Sequence, residues 1–159
     1  MRNPFKHTIP YNPAELLDSI LYDEDSFYKA FSKDLKHALR NVVIESPYLT
    51  VRRTETLLPL FDKLTRYGVR VCIDTRHPSH HDKAMCEQAW QAVDKLRTIG
   101  VTVKFYDDRR HRKVAIIDGI VLWEGSLNIM SQSNSREVMR RIQSPKLAHQ
   151  MAKFCGINV

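Results

Sequence analysis

Residues 111–128 read HRKVAIIDGIVLWEGSLN, and they decide how the rest of the chain is read. Two apolar runs are joined by Asp118-Gly119, and Asp-Gly between β-branched runs is a strong signal for a two-residue hairpin turn. At the mouth of that hairpin stands a histidine two residues from a lysine. Positions i and i+2 of a strand share a face, so His111 and Lys113 are expected to project together while Arg112 points away. An imidazole that is neutral near pH 7 can attack phosphorus, and a neighbouring ammonium can hold phosphoryl oxygens as charge develops on them. Asp118 lies about five residues, roughly 16 Å of strand, beyond Lys113, so its expected work is to fix the turn. Gly125-Ser126 reads as a small flexible turn whose N–H groups and hydroxyl approach an anion, and Asn128 adds an amide donor.

Working outward, the chain alternates helix and strand. Residues 1–13 hold three prolines and no periodicity and read as an extended arm or linker, leaving 14–159 as one domain. A short helix is expected to start at Pro13 with "PAELLDSIL". Phe27, Phe31, Leu35 and Leu39 then recur every fourth residue along an amphipathic helix. "NVVIESPYLT" is a buried strand breaking into a loop at Ser46-Pro47. Leu57, Leu60, Phe61 and Leu64 mark a second helix, which tolerates Pro59 only if it begins close before it. "LTRYGVRVCID" and "LRTIGVTVKFYD" each end a helix on glycine, Gly68 or Gly100, and enter a strand. Met85, Ala89, Val93 and Leu96 form the helical stripe between them. After the hairpin, "REVMRRI" reads as a strand and "SPKLAHQMAKF" as a last helix capped by Ser144. The pattern implies an α/β fold, a mixed β-sheet flanked by helices on both faces.

Composition narrows the function classes. Hydrophobic content of 43% and charged content of 27% suit a globular chain. No apolar run approaches the roughly 18 residues a membrane span needs, and the N-terminus lacks the apolar core of a secretory signal, so a cytoplasmic protein without a membrane partner is expected. Cys72, Cys86 and Cys155 show no metal or disulfide spacing. The net charge of +7 is localised: residues 1–94 hold 13 basic and 13 acidic side chains, residues 95–159 hold 12 and 5. A polyanion is therefore the first partner to consider.

His111-x-Lys113, Asp118 and Gly125-Ser126-x-Asn128, at these gaps, resemble the HKD signature of the phospholipase D superfamily, which includes nucleases and phosphatidyltransferases. The strand ending in "SPYLT" and the helix-Gly-Val-x-Val units agree, so the likeness spans about residues 25–155. The resemblance implies a phospholipase D-like sandwich, a covalent phosphohistidine on His111, charge stabilisation by Lys113 and Asn128, and support from Ser126. It also implies an acid that holds the histidine in its tautomer, for which Glu137 is the matching residue. Glu45, at the end of the first strand, is a second orienting candidate, weighed against a surface ion pair. No cofactor and no metal are implied. Superfamily enzymes generally carry two such motifs and this chain has one, so a homodimer with both motifs at a two-fold interface is expected.

Other residues are read against plainer roles. "RHPSHHD" gathers His77, His80, His81 and Asp82, but adjacent His80 and His81 diverge in most conformations, which favours a solvated loop at the site rim over a metal site. Trp90 and Trp123 read as core. Arg52 and Arg53 lie just past a strand end, and Arg109 and Arg110 flank His111, so these four are candidate substrate contacts; Arg136, Arg140 and Arg141 extend a basic track. The leading reading is a metal-independent nuclease, with DNA favoured over RNA. The alternatives are a non-catalytic or assembly-dependent DNA-binding module, serving a helicase or restriction-type partner, repair of modified DNA ends, and a phospholipid phosphodiesterase.

Overall fold

The computed structural model describes residues 19–159. A seven-stranded sheet runs β1-β7-β6-β5-β2-β3-β4. The strands are β1 (Ile20–Asp23), β2 (Asn41–Glu45), β3 (Arg70–Arg76), β4 (Thr102–Tyr106), β5 (Val114–Ile117), β6 (Val121–Gly125) and β7 (Val138–Gln143). The helices are α1 (Phe27–Lys36), α2 (Val51–Arg66), α3 (Lys83–Thr98) and α4 (Pro145–Cys155). β2, β3 and β4 are parallel, joined by the α2 and α3 crossovers, and β5, β6, β7 and β1 continue the sheet antiparallel. The sheet is thus mixed, with helices on both faces.

The strand pleat divides the core in two. Val42, Ile44, Val71, Ile73, Ala115 and Trp123 face α1, α2 and α3, while Val114, Ile116, Leu122 and Ile142 face α4. Trp123 is fully buried among Tyr22, Phe27 and Phe31. Its indole N–H donates to Asp34 at 2.8 Å, and Arg141 closes on the same carboxylate at 2.7 and 2.9 Å, so the polar edge of the ring is satisfied where it meets the rim.

Several expectations are corrected. The helix expected from Pro13 falls mostly on residues outside those described, and its end is strand: Ile20 and Leu21 pair with β7, a long-range partner that local periodicity does not register. α1 stops at Lys36, so Leu39 lies beyond the helix and is 81% exposed. α2 begins at Val51, eight residues before Pro59, with Thr50 as its cap. Pro59 sits on the exposed side of the helix, where water can serve the carbonyl that lacks an N–H partner. Trp90 is 37% exposed, edge-on to His77 and Phe105.

The hairpin turn is where the sheet is fastened. Asp118 and Gly119 both adopt positive φ, 54° and 67°, and the Ile117 carbonyl accepts the Ile120 N–H, as the expected two-residue turn requires. One extra residue, Ile120, then separates the turn from the first strand pair, Ile117 with Val121. The Asp118 carboxylate accepts the backbone N–H groups of Leu39, Arg40 and Asn41 at 2.8, 2.7 and 2.9 Å, and its own N–H donates to the Asn41 carbonyl. Asp118 therefore clamps the β5–β6 turn to the start of β2. Asp118→Ala is expected to lower the unfolding free energy by about 3 kcal/mol, since charge-assisted hydrogen bonds are lost and three donors need new partners. A fall in the urea midpoint at unchanged slope measures this; an unchanged midpoint contradicts it.

Candidate active site

The 107–113 segment leaves β4 and enters β5, crossing the sheet at the carboxyl ends of the parallel strands. His111 and Lys113 precede Val114, the first residue of β5, so they lie in the loop ahead of the strand rather than on it. They nevertheless meet: Lys113 Nζ contacts His111 Nδ1 and donates to the His111 carbonyl at 2.7 Å. Arg112, between them, donates to Glu45 at 2.9 and 3.1 Å.

Glu45 is fully buried. Its ion pair with Arg112 is therefore an interior pair and not the surface pair weighed from the sequence, and its hydrogen bonds go to Arg112 and not to the histidine. A buried carboxylate without a cation is strongly unfavourable, so Arg112 is held in place. Because Arg112 is flanked by His111 and Lys113, that one anchor orients both.

His111 is exposed and packs edge-on against Tyr48, with ring centroids 5.6 Å apart; Tyr48 in turn packs against His81 at 5.0 Å. Partial burial, then the charges of Lys113 and Arg76, push the His111 imidazole below its ordinary value of 6.5. The ring is therefore neutral at pH 7. An ammonium can only donate, so in this arrangement Nδ1 is the acceptor and the proton sits on Nε2. A phosphate that draws Lys113 to its own oxygens releases Nδ1 and lets the proton shift. Burial also lowers the Lys113 ammonium, opposed by the charge of Glu137.

The second half of the constellation comes from the end of β6. Gly125 is the last residue of that strand, paired with Met139, and a Cβ there would stand 2.1 Å from the Val138 carbonyl oxygen. The glycine permits β7 to approach closely; its role is not a flexible anion-binding turn. The Ser126 N–H is likewise committed to the Val138 carbonyl at 2.9 Å. The Ser126 hydroxyl accepts the Val138 N–H and donates to Glu137, which also accepts from Ser135 at 2.7 Å. Within one chain Glu137 thus holds Ser126 and Ser135, while the ring nitrogen contact of His111 is to Lys113. Asn128 is half-buried and its Oδ1 is buried without a partner.

Most of the expected basic track is used internally. Arg110 grips Asp108, holding that carboxyl down at about 2, and stacks over Tyr106. Arg53 lies in the first turn of α2, over the Tyr28 ring, and donates to the Gln132 carbonyl. Arg136 pairs with Glu24, Arg140 donates to Ser19 and Arg141 pairs with Asp34. Arg52 and Arg109 are exposed. His77 caps a short turn at Pro78–His80, Asp82 caps α3, and no group of three or more metal-ligating side chains occurs among the described residues.

The sequence model described as "Cardiolipin synthase, PLD-like domain" matches residues 31–155 of the chain. The chain belongs to the phospholipase D-like family. The fold of this phospholipase D-like domain agrees with solved structures. Nuc from Salmonella typhimurium, a phospholipase D family member, superposes with a TM-score of 0.69 at 15% identity, covering 86% of this chain and 90% of its own. NucT from Helicobacter pylori gives 0.67 at 17% identity, covering 86% and 91%. Phosphatidylserine synthase from Haemophilus influenzae Rd KW20 gives 0.69 at 17% identity, covering 85% of this chain and 37% of its own. No curated protein sequence matches the chain. Among the described residues of this phospholipase D-like domain no helix is long and apolar enough to cross a membrane.

The imidazole titration is directly measurable. NMR of the ring protons should place the His111 pKa below 6.5, because burial and two cations disfavour the charged ring. Lys113→Met should move it upward by removing one of them. A value above 6.5 in the intact protein, or no movement in the variant, contradicts the arrangement.

Proposed function

We infer that this chain is a metal-independent phosphodiesterase that hydrolyses nucleic acid, working as a homodimer. The observation that carries the reading is the neutral, exposed His111 in contact with Lys113. In the first step the His111 nitrogen forms a bond to phosphorus as the P–O bond to the leaving group breaks. In the second, water attacks phosphorus, the N–P bond breaks and the product phosphate leaves. Lys113 and Asn128 stabilise the charge on the non-bridging oxygens.

The leaving oxygen needs a proton in step one, and water must lose one in step two. One chain supplies one motif histidine, so both duties fall to the partner subunit's His111, which enters step one protonated, gives that proton to the leaving oxygen and takes one back from water in step two, while the attacking ring starts neutral. Ser126 and Glu137 support this chemistry by fixing the segment that carries Asn128. Nucleic acid is favoured over phospholipid because the positive excess lies in residues 95–159, which hold the motif, and because the two compared structures of this chain's own size are Nuc and NucT, whereas the phosphatidylserine synthase is a much longer chain. DNA is favoured over RNA only as the first substrate to offer.

The test is cleavage of single-stranded and duplex DNA, RNA and phosphatidylcholine vesicles in EDTA. Nucleic acid should be cut, and His111→Ala should lose at least about 1000-fold in rate, the order expected when a covalent nucleophile is removed. Equal cleavage by the variant, release of a lipid product alone, or full activity in a species that sediments as a monomer overturns the corresponding part of the reading.

A further inference from the structure

Arg76, the last residue of β3, is placed for an anion that the chain does not supply. The other half-buried arginines among the described residues all have a hydrogen-bond acceptor: Arg53, Arg110, Arg112, Arg140 and Arg141. Arg76 is equally half-buried, yet its Nε is buried without a partner and its guanidinium has no ion pair or acceptor among the described residues. A half-buried guanidinium without an acceptor is costly, and natural interiors rarely retain one without a use.

Its position is informative. Alternation along β3 puts Val71, Ile73 and Thr75 toward the three-helix core, so Arg76 shares the opposite side of the sheet with Asp74 and, in register on β2, Glu45. It therefore rises at the sheet end over which the segment carrying His111 crosses, beside the Arg112–Glu45 anchor, and its charge reaches the His111 ring. Tyr48 and His81 line the rim here, and the His81 Nε2 is another buried atom without a partner. β3 lies two strands from β5, roughly 10 Å across the sheet. Lys113 touches His111 directly, whereas Arg76 acts on it only through its charge.

We propose that Arg76 binds the phosphate adjacent to the scissile one, so that the site requires a substrate with successive phosphodiesters, a polynucleotide chain. The proposal rests on the reading of the site as a nuclease and narrows it: a phospholipid with a single phosphodiester, such as phosphatidylcholine, gives Arg76 nothing to hold. Arg76 is the one strand-end cation near His111 that is both half-buried and uncommitted among the described residues, and a flanking phosphate satisfies its donors without competing with Lys113 for the reacting group.

The test compares Arg76→Gln and Arg76→Met with the unaltered chain on two substrates, a single-stranded oligonucleotide and bis(p-nitrophenyl) phosphate, which has no flanking phosphate. Both variants should lose about 10- to 100-fold in kcat/KM on the oligonucleotide, the range of one or two charge-assisted hydrogen bonds. On the small diester they should stay within about threefold. Separately, in a His111→Ala background that cannot turn over, the slope of log Kd for the oligonucleotide against log salt should fall by about 0.7 on adding Arg76→Gln, one phosphate contact, and be retained with Arg76→Lys. Equal losses on both substrates, or unchanged kcat/KM and slope, overturn the assignment. If the unaltered chain cleaves neither substrate while the slope still falls, the hydrolytic reading fails and the phosphate contact at Arg76 stands.

Discussion

The site depends on the ion pair between Glu45 and Arg112. A carboxylate at the end of β2 is removed entirely from water, and one guanidinium, only partly exposed, meets it with two hydrogen bonds. The pair is not a source of net stability to be counted on, since desolvation offsets much of the attraction; its consequence is geometric, because separating the partners leaves a buried charge. The segment that crosses from β4 to β5 has no ladder of its own to hold it. Arg112 ties it to the sheet at the residue between His111 and Lys113. At the far end of the same hairpin, Asp118 grips three N–H groups ahead of β2. β5 is thus fixed to β2 at both ends, and the candidate nucleophile sits in the loop just ahead of the first of these ties.

The distribution of committed and uncommitted charge follows from this frame. The chain carries seven more basic than acidic groups, but most half-buried arginines are bound to acids or carbonyls of the chain itself. Position and partner therefore matter more than net charge. What remains uncommitted among the buried and half-buried groups the reading uses is small: Lys113, whose contact is the ring it serves, the Oδ1 of Asn128, and Arg76 at a strand end.

Much of the fold was legible because its signals are local. Gly68 and Gly100 end helices with the left-handed conformation and lead into parallel strands, and Asp118-Gly119 turns the hairpin as its sequence requires. The misread parts depend on distant partners. Ile20 and Leu21 became strand by pairing with β7, and Leu39 fell outside its helix where the following backbone is drawn to the Asp118 carboxylate. In the site, the spacing marked His111, Lys113, Ser126 and Asn128 as candidates, and the first two meet. It could not show that Gly125 is required by the approach of Val138, that Glu137 bonds Ser126 and Ser135, or that Glu45 is buried against Arg112. Arg76 carries no signal in the sequence: only burial without an acceptor distinguishes it from an ordinary strand-end arginine.

The central claim is that His111 becomes bonded to phosphorus during turnover. Stereochemistry at phosphorus tests it most directly: hydrolysis of an oligonucleotide with one chiral phosphorothioate linkage in oxygen-18 water, followed by configurational analysis of the product. Two successive in-line displacements, first by the imidazole and then by water, predict net retention of configuration. Net inversion would mean that water attacks the diester directly and would contradict the account.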